Sequence, residues 1–287
     1  MSDAPAYRER WLTAQDGLRL YFRDYGDPLS PGTPVLCLPG LTRNSRDFET
    51  LATRLDAGRR VVCPDLRGRG RSAHARHWKD YAAQVILDDV HHLMAAVNLH
   101  RIVVCGVSYG GLLAMALGAL APSALAGVIL DDIGPDMETG GRSRILDYVS
   151  QDRPEPDWAS AVASMKVTFP TLSFTTEEDW RRFTEGTFRE GEDGRLHFDY
   201  DVAITRPLQD DAAQMDLWPL FRTLARVPVL VIRGGASDLL SAATLERMIE
   251  AHPRLAHLTL PGVGHAPSLD EPDSEHAIDD FLSQVDG

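Results

Sequence analysis

A serine flanked by glycines separates two runs of different hydrophobic pattern at residues 101–120. The run before it, RIVVCG, is short and β-branched, like a buried strand, and the run after it, LLAMALGAL, has the composition of a helix. The hexapeptide between them, GVSYGG, therefore predicts a tight strand-to-helix turn at Ser108, with Gly106 and Gly110 avoiding a clash between strand and helix. Such a turn presents the hydroxyl as a nucleophile, and the alternative is a coincidental pentapeptide.

The same alternation of short apolar runs and helical runs extends along most of the chain. PVLCL, RRVVCP and RIVVCG are each followed by a helical pattern, GVILDDI is a further strand-like run, and VPVLVIRG and HLTLPG resume the series. Two further strand-like runs flank Asp16-Gly17, which predicts a hairpin. Strands joined through helices form parallel sheets with right-handed crossovers. The pattern predicts an α/β fold, with a mostly parallel sheet covered by helices on both faces.

The alternation stops between residues 134 and 217. This stretch is polar and acidic, carries scattered aromatic residues and shows no strong strand pattern. An insertion of this kind between two strand–helix blocks is typical of a cap over the sheet. We therefore expect a core at 1–133 and 218–287, with a helical cap insertion at 134–217.

Charge and hydropathy exclude several classes of partner. The chain has 287 residues and a formal net charge of −13, which disfavours binding to nucleic acid and to anionic membranes. The N-terminal sequence MSDAPAYRER has no apolar core of a signal peptide. The apolar stretch Gly111–Leu130 is long enough to span a bilayer, but Pro122-Ser123 interrupts it. We expect a helix, a turn and a strand there, and a small molecule as the partner.

The cysteines indicate a reducing compartment. The chain has three, and each lies at the end of a strand-like run: Cys37, Cys63 and Cys105. This placement predicts reduced, buried thiols and a cytoplasmic location. Their spacings differ from those of zinc sites.

A serine nucleophile needs a histidine base, and the best candidate is His265. It lies in the loop PGVGHAPSLDEP, directly after the strand-like run HLTL. Loops at the carboxyl ends of parallel strands form the usual site of an α/β sheet. His74 and His77, near an arginine-rich loop, are weaker candidates on position alone.

The base in turn needs a carboxylate that orients it. Asp238, in VLVIRGGASDLLS, follows the resumed strand and gives the chain order Ser, Asp, His. Asp131 or Asp132, at the end of GVILDDI, is the alternative. We expect Asp238 to be the acid. Its other possible role is that of a turn residue or a helix N-cap.

Two backbone N–H groups are expected to bind the oxyanion of the reaction. Tyr109 follows the nucleophile at the start of the predicted helix, and Leu41 lies in the loop LPGLTRNS after the strand PVLCL. Pro39-Gly40 lets the backbone turn at this loop, as it also would in a simple turn.

With these motifs the chain resembles the α/β-hydrolase superfamily over nearly its whole length. The matching segments are LPGL at 38–41, DLRGRGRS at 65–72, GVSYGG at 106–111, Asp238 and Gly264-His265. The resemblance implies Ser108, Asp238 and His265 as the triad and Leu41 and Tyr109 as the oxyanion donors. Many members have His-Gly where this chain has Pro39-Gly40, so the hydrogen bonding of that loop is expected to differ.

The expected reaction is hydrolysis of a small or medium carboxylic ester through an acyl-enzyme, without a metal or an organic cofactor. Alternatives are an enol-lactone or carbon–carbon bond hydrolase, a non-catalytic small-molecule-binding protein, and cofactor-free oxygen or halide chemistry. The resemblance implies a structural loop at 65–72. Its arginines, Arg67, Arg69 and Arg71, are expected to pair with internal carboxylates, the alternative being an anionic substrate.

Overall fold

A twisted sheet of eight strands forms the centre of the computed structural model, which describes residues 7–210 and 216–287. The spatial order is β1-β2-β4-β3-β5-β6-β9-β10, and only the β1–β2 and β2–β4 pairs are antiparallel. The predicted mostly parallel sheet is confirmed. Its strands are β1 (Tyr7–Thr13), β2 (Arg19–Tyr25), β3 (Gly32–Leu38), β4 (Arg59–Pro64), β5 (Ile102–Val107), β6 (Leu125–Asp131), β9 (Val229–Gly234) and β10 (Leu255–Leu260).

Helices cover both faces of this sheet, as predicted. They are α1 (Glu49–Leu55), α2 (Ala83–Ala96), α3 (Tyr109–Leu120), α8 (Trp218–Thr223), α9 (Ala242–Ala251) and α10 (Pro272–Asp286). In β5, Ile102 and Val104 face the core with α2, α3, α8 and α9, whereas Val103 and Cys105 face the core with α1 and α10. The central strands β5 and β6 are almost wholly apolar because both of their faces are buried.

The stretch predicted as a cap contains helices and also one hairpin. Its elements are α4 (Thr139–Val149), α5 (Trp158–Thr168), α6 (Glu177–Glu185), β7 (Phe188–Glu190), β8 (Leu196–Phe198) and α7 (Arg206–Asp210). The antiparallel β7–β8 pair corrects the expectation that this stretch is helical. Residues 1–6 and 211–215 of the predicted core and cap segments lie outside the described residues.

The apolar stretch Gly111–Leu130 folds as predicted into helix, turn and strand. It is divided between α3, the 3-10 turn Pro122–Ala124 and β6. Among the described residues, none of the helices combines the length and the apolar character needed to cross a bilayer.

The three cysteines are free and buried. Cys37 lies opposite Cys105 in the register of β3 and β5. Burial raises the pKa of the Cys37 thiol well above its usual range, so the thiol stays protonated.

Candidate active site

Ser108 lies in the turn between β5 and α3, with a strained backbone of φ 50° and ψ −114°. A Cβ at Gly106 would lie 2.5 Å from the carbonyl oxygen of Gly110, and a Cβ at Gly110 would overlap the carbonyl oxygen of Leu38. Both glycines are therefore required by the close approach of backbone segments around the serine. The turn holds the hydroxyl at the carboxyl end of the sheet, where the sequence placed it.

A chain of hydrogen bonds runs from this hydroxyl to a buried carboxylate. Nε2 of His265 lies 2.9 Å from Oγ of Ser108, and Nδ1 of the same ring lies 2.7 Å from Oδ2 of Asp132. The second carboxylate oxygen of Asp132 accepts a hydrogen bond from the N–H of Gly234 at 2.8 Å. Asp132 is fully buried, so the carboxylate is fixed by these two contacts.

The acid beside His265 is thus Asp132, and the expectation that Asp238 occupies this position is corrected. Asp238 is 43% exposed and forms a two-point ion pair with Arg144 of α4, at 2.8 and 3.0 Å. The hydrogen bond from Arg144 lowers the pKa of Asp238. From the sequence, Asp131 or Asp132 was predicted only as the alternative to Asp238.

The position of Asp132 follows from the way β6 ends. Its N–H donates to the carbonyl oxygen of Ile232 in β9 at 2.7 Å, and its φ of 51° turns the chain out of the strand. The preceding residue, Asp131, is fully buried, and both of its carboxylate oxygens lack a hydrogen-bond partner among the described residues. Burial raises the pKa of Asp131 well above its usual range, and such a shift favours the neutral acid.

The loop that carries Leu41 lies next to Ser108. A Cβ at Gly40 would stand 3.9 Å from Cβ of Ser108, and Leu41 and Ser108 line the same cleft. Tyr109 is the first residue of α3, so its N–H has no acceptor within the helix. Both predicted oxyanion donors therefore belong to backbone segments beside Ser108.

A cleft of about 1030 Å³ opens above Ser108 and His265. Its opposite wall comes from the 134–217 stretch and is aromatic and aliphatic: Ile145, Tyr148, Val149, Phe169, Leu172, Phe174 and Phe183. The ring centroids of Phe174 and Phe183 are 5.2 Å apart, and those of Tyr148 and Phe169 are 5.4 Å apart. The wall is a connected aromatic cluster, suited to an apolar substrate group.

The arginines of the cleft are engaged by acidic neighbours. Arg43 pairs with Asp47 at 2.6 Å, and its guanidinium carbon lies 4.1 Å from the centre of the Phe183 ring. Arg182 pairs with Asp179 at 2.8 Å. These pairings leave the apolar surface as the dominant feature of the cleft.

The loop that carries His265 is fastened to the 134–217 stretch. The N–H of Gly264 donates to the carbonyl oxygen of Thr171 at 2.6 Å, and Oγ of Ser173 donates to Oγ of Ser268 at 3.2 Å. These contacts could not be predicted from the sequence. His74 and His77 are not among the residues that line the cleft.

The three arginines of the loop DLRGRGRS differ in their partners. Arg67 pairs with Asp89 at 2.5 Å and with Asp16 at 2.9 Å, and Arg71 pairs with Glu9, as expected. Arg69 is buried, and no carboxylate within the described residues forms an ion pair with it. The expectation of internal carboxylate partners thus fails for Arg69.

Known proteins resemble this chain over almost all of its length. The family model described as "alpha/beta hydrolase fold" matches residues 33–272. The 3-hydroxybutyrate-oligomer hydrolase of Cupriavidus necator is 32% identical over 88% of this chain and 89% of its own. The crystal structure of an α/β hydrolase from Novosphingobium aromaticivorans superposes with a TM-score of 0.91, at 42% identity over 98% of this chain and 99% of the other.

The chain belongs to the α/β-hydrolase family, and the predicted membership is confirmed. Several relatives that cover most of the chain are named hydrolases or esterases, and the prediction of a hydrolase is confirmed as well. One further relative, the 2-(acetamidomethylene)succinate hydrolase of Mesorhizobium japonicum, is 27% identical over 82% of each chain.

Proposed function

We propose that this enzyme hydrolyses carboxylic esters through Ser108, His265 and Asp132. The observation that carries the proposal is the unbroken contact from Oγ of Ser108 through the His265 ring to Oδ2 of Asp132. The arrangement of a nucleophile, a base and an orienting carboxylate defines acyl transfer on many folds. It replaces Asp238 in the predicted triad with Asp132.

In the first half-reaction, Oγ of Ser108 attacks the ester carbonyl while Nε2 of His265 takes its proton. The negative charge that develops on the carbonyl oxygen is held by the N–H groups of Leu41 and Tyr109. Asp132 accepts the Nδ1–H hydrogen bond and stabilises the imidazolium. Nε2–H then protonates the departing alcohol, which leaves an acyl-enzyme.

In the second half-reaction, His265 removes a proton from water, and the resulting hydroxide attacks the acyl carbon. The tetrahedral intermediate uses the same oxyanion donors, and Ser108 leaves with the proton from Nε2. The products are the carboxylic acid and the regenerated hydroxyl. Asp132 keeps its hydrogen bond with Nδ1–H in both half-reactions and so holds the tautomer that has the proton on Nδ1.

Within the ester class, we infer that short oligoesters of hydroxy acids are good substrates. The relative from Cupriavidus necator is named for oligomers of 3-hydroxybutyrate and covers nearly the full chain. The cleft, at about 1030 Å³, reaches the upper end of the range for small-molecule sites and has room for several short units. Its aromatic wall suits the methyl groups and the backbone of such a chain.

The test is a burst assay with p-nitrophenyl acetate, butyrate and octanoate on the wild type, on Ser108→Ala and on Ser123→Ala. Ser123 is an exposed serine on the turn after α3 and serves as the matched control. We expect a burst and steady turnover in the wild type and the control, and neither in Ser108→Ala. Equal turnover in wild type and Ser108→Ala would refute the proposed nucleophile.

The oligoester inference needs a separate measurement. The dimer and trimer of 3-hydroxybutyrate are incubated with the enzyme, and the released monomer is measured by chromatography. Turnover of p-nitrophenyl esters without release of monomer would keep the ester mechanism and reject this substrate class. Labelling of Ser108 by a fluorophosphonate without turnover of any ester would favour a lactone or a carbon–carbon bond instead.

A further inference from the structure

Arg69 carries a buried positive charge beside the two residues proposed as oxyanion donors. It is 1% exposed, and it is one of the largest fully buried side chains in the described part of the protein. Its neighbours in the same loop, Arg67 and Arg71, are each neutralised by an ion pair, whereas Arg69 is not. Asp201 acts on Arg69 only through its electric field and accepts hydrogen bonds from Tyr81 and Ala203.

The contacts of Arg69 converge on the two residues that carry the donors. Its Nε donates to the carbonyl oxygen of Leu41 at 2.8 Å. Its guanidinium carbon lies 5.8 Å from the ring centre of Tyr109. Nη1 donates to the carbonyl oxygen of Arg67 at 2.7 Å, which fixes the guanidinium plane. One side chain is thus hydrogen-bonded to the Leu41 loop and lies beside the ring of Tyr109 at the start of α3.

The backbone of Arg69 is itself held from the 134–217 stretch. Gly70 N–H donates to the carbonyl oxygen of Asp199 at 2.8 Å, and Asp201 N–H donates to that of Gly68 at 2.8 Å. Arg69 also forms an isolated bridge with Tyr200. The side chain therefore starts from an anchored backbone, which is a condition for preorganised electrostatics.

A buried charge without an ion-pair partner lowers the stability of the fold, and a role in the reaction would explain why it is present here. Burial lowers the pKa of Arg69 to about 10, so the guanidinium is still charged at neutral pH but is penalised by desolvation. An arginine with a purely structural role would lose less free energy to desolvation if it had a carboxylate partner, as Arg67 has. A negative charge forming on the substrate beside Leu41 and Tyr109 would be stabilised by Arg69 in a low-dielectric environment.

We propose that Arg69 is a positioning residue of the oxyanion hole, which holds the Leu41 loop against the start of α3 and places positive potential behind both N–H donors. The inference rests on the proposed ester hydrolysis. It adds a group that acts through Leu41 and Tyr109 without touching the substrate. Its contribution grows as the oxyanion forms, so it appears in kcat and not in KM.

The experiment compares Arg69→Met and Arg69→Lys with the wild type and with Arg233→Met. Arg233 is also a buried arginine whose Nε donates to a backbone carbonyl, that of Leu240 at 2.8 Å, but it contacts neither oxyanion donor. Active sites are counted by labelling Ser108 to completion with a fluorophosphonate, so a partly unfolded sample does not imitate a slow enzyme. The binding of an alkyl trifluoromethyl ketone is measured on the same samples. Oγ of Ser108 attacks the carbonyl of this inhibitor and forms a hemiketal oxyanion.

We expect Arg69→Met to lower kcat per active site by about 10- to 100-fold, less than or equal to the loss of a direct oxyanion donor, with KM nearly unchanged. The Ki of the ketone should rise by the same factor. Arg69→Lys should recover part of the loss because it keeps a buried charge, and Arg233→Met should retain the wild-type kcat per site.

Wild-type kcat and Ki in Arg69→Met would overturn the inference while leaving ester hydrolysis intact. A raised KM with unchanged kcat would also overturn it, since Arg69 would then act on substrate binding. If Arg69→Met does not fold, Arg69→Lys is the deciding variant. Wild-type kcat and wild-type Ki in Arg69→Lys would overturn the inference, whereas a lower kcat together with a higher Ki would support it. A wild type that neither turns over esters nor reacts with a fluorophosphonate at Ser108 would refute the proposed function, and this inference with it.

Discussion

The substitution Asp132→Asn tests the proposed acid most directly, because the contacts of Asp132 decide how an amide must sit. Oδ1 of Asp132 accepts from the N–H of Gly234 at 2.8 Å, and Oδ2 faces Nδ1 of His265 at 2.7 Å. An asparagine has one oxygen and one NH2 group. Its oxygen must face Gly234, because two donors would otherwise meet there. The NH2 group is then directed at Nδ1 of His265.

This orientation disables the base. An NH2 group donates to Nδ1, so the ring must keep its proton on Nε2, where it faces Oγ of Ser108 and cannot accept a proton. Loss of the correct tautomer costs about 10⁴ in kcat in a comparable triad, or roughly 5 kcal/mol in the barrier. We expect a loss of about 10³ to 10⁴ in kcat for Asp132→Asn.

The matched variant is Asp238→Asn. Its ion pair with Arg144 is exposed on both sides, at 43% each, and such pairs contribute about 0–1 kcal/mol to stability. We expect kcat close to that of the wild type and a small change in melting temperature. Both variants are assayed with p-nitrophenyl butyrate at pH 8, with active sites counted by fluorophosphonate labelling. A large loss in Asp238→Asn together with near-normal turnover in Asp132→Asn would refute the assignment.

Further predictions concern the turn, the cleft and pH. Gly110→Ala should lose the fold or several kcal/mol of stability, because its Cβ overlaps the Leu38 carbonyl. The control Gly140→Ala in α4, with no atom within 4 Å of its Cβ, should be stabilised by about 0.5–1 kcal/mol in urea unfolding. Phe183→Ala, which removes a ring 5.2 Å from that of Phe174, should raise KM for octanoate more than for acetate. Burial raises the pKa of Asp270 to about 6, above its unfolded value of about 3.9, so the folded state binds more protons between these pH values and loses stability as pH rises through them. Asp270→Asn should therefore exceed the wild type in stability by about 1–3 kcal/mol at pH 8 and match it near pH 4, and equal unfolding curves at both pH values would contradict this.

The positions of Ser108 and His265 in the fold could be predicted because each is specified by local sequence. Gly106 and Gly110 are demanded by backbone atoms that lie close to the serine turn, so the pattern carries the geometry with it. His265 was found from its place in a glycine-rich loop after a strand. In the structure, Gly264 in that loop bonds to Thr171, which explains why a residue without a side chain precedes the histidine.

The acid could not be selected in the same way. β6 and β9 are neighbours that end at the same edge of the sheet, and an aspartate follows each of them. The choice depends on backbone detail: Asp132 leaves the strand with φ 51°, and the N–H of Gly234 holds its carboxylate. Nothing in the two local sequences distinguishes an aspartate turned toward the histidine from one paired with Arg144.

The hairpin of β7 and β8 was missed although a signal was present. Asp193-Gly194 lies between the two strands, and Gly194 has φ 75°, as the turn requires. The strands are only three residues each, too short for an alternating pattern to be read. The prediction that Arg69 pairs with an internal carboxylate was wrong for a different reason. The sequence shows the positive charge, but it does not show whether a carboxylate lies within reach of the guanidinium.

The position of Asp132 determines which loops of the sheet edge carry the proposed triad and which do not. Ser108 and Asp132 follow adjacent strands, and the loop of residues 235–241 after β9 supplies no reacting group. A substitution of Asp238 therefore leaves the proposed triad in place, whereas the backbone of this loop supports the His265 loop through the hydrogen bond from the N–H of Ala236 to the carbonyl oxygen of Val263 at 2.8 Å. Asp238 in this loop pairs with Arg144 of α4, and Ile145 and Tyr148 of the same helix line the cleft, so the loop is attached to the helix that forms part of the cleft wall and not to the proposed triad.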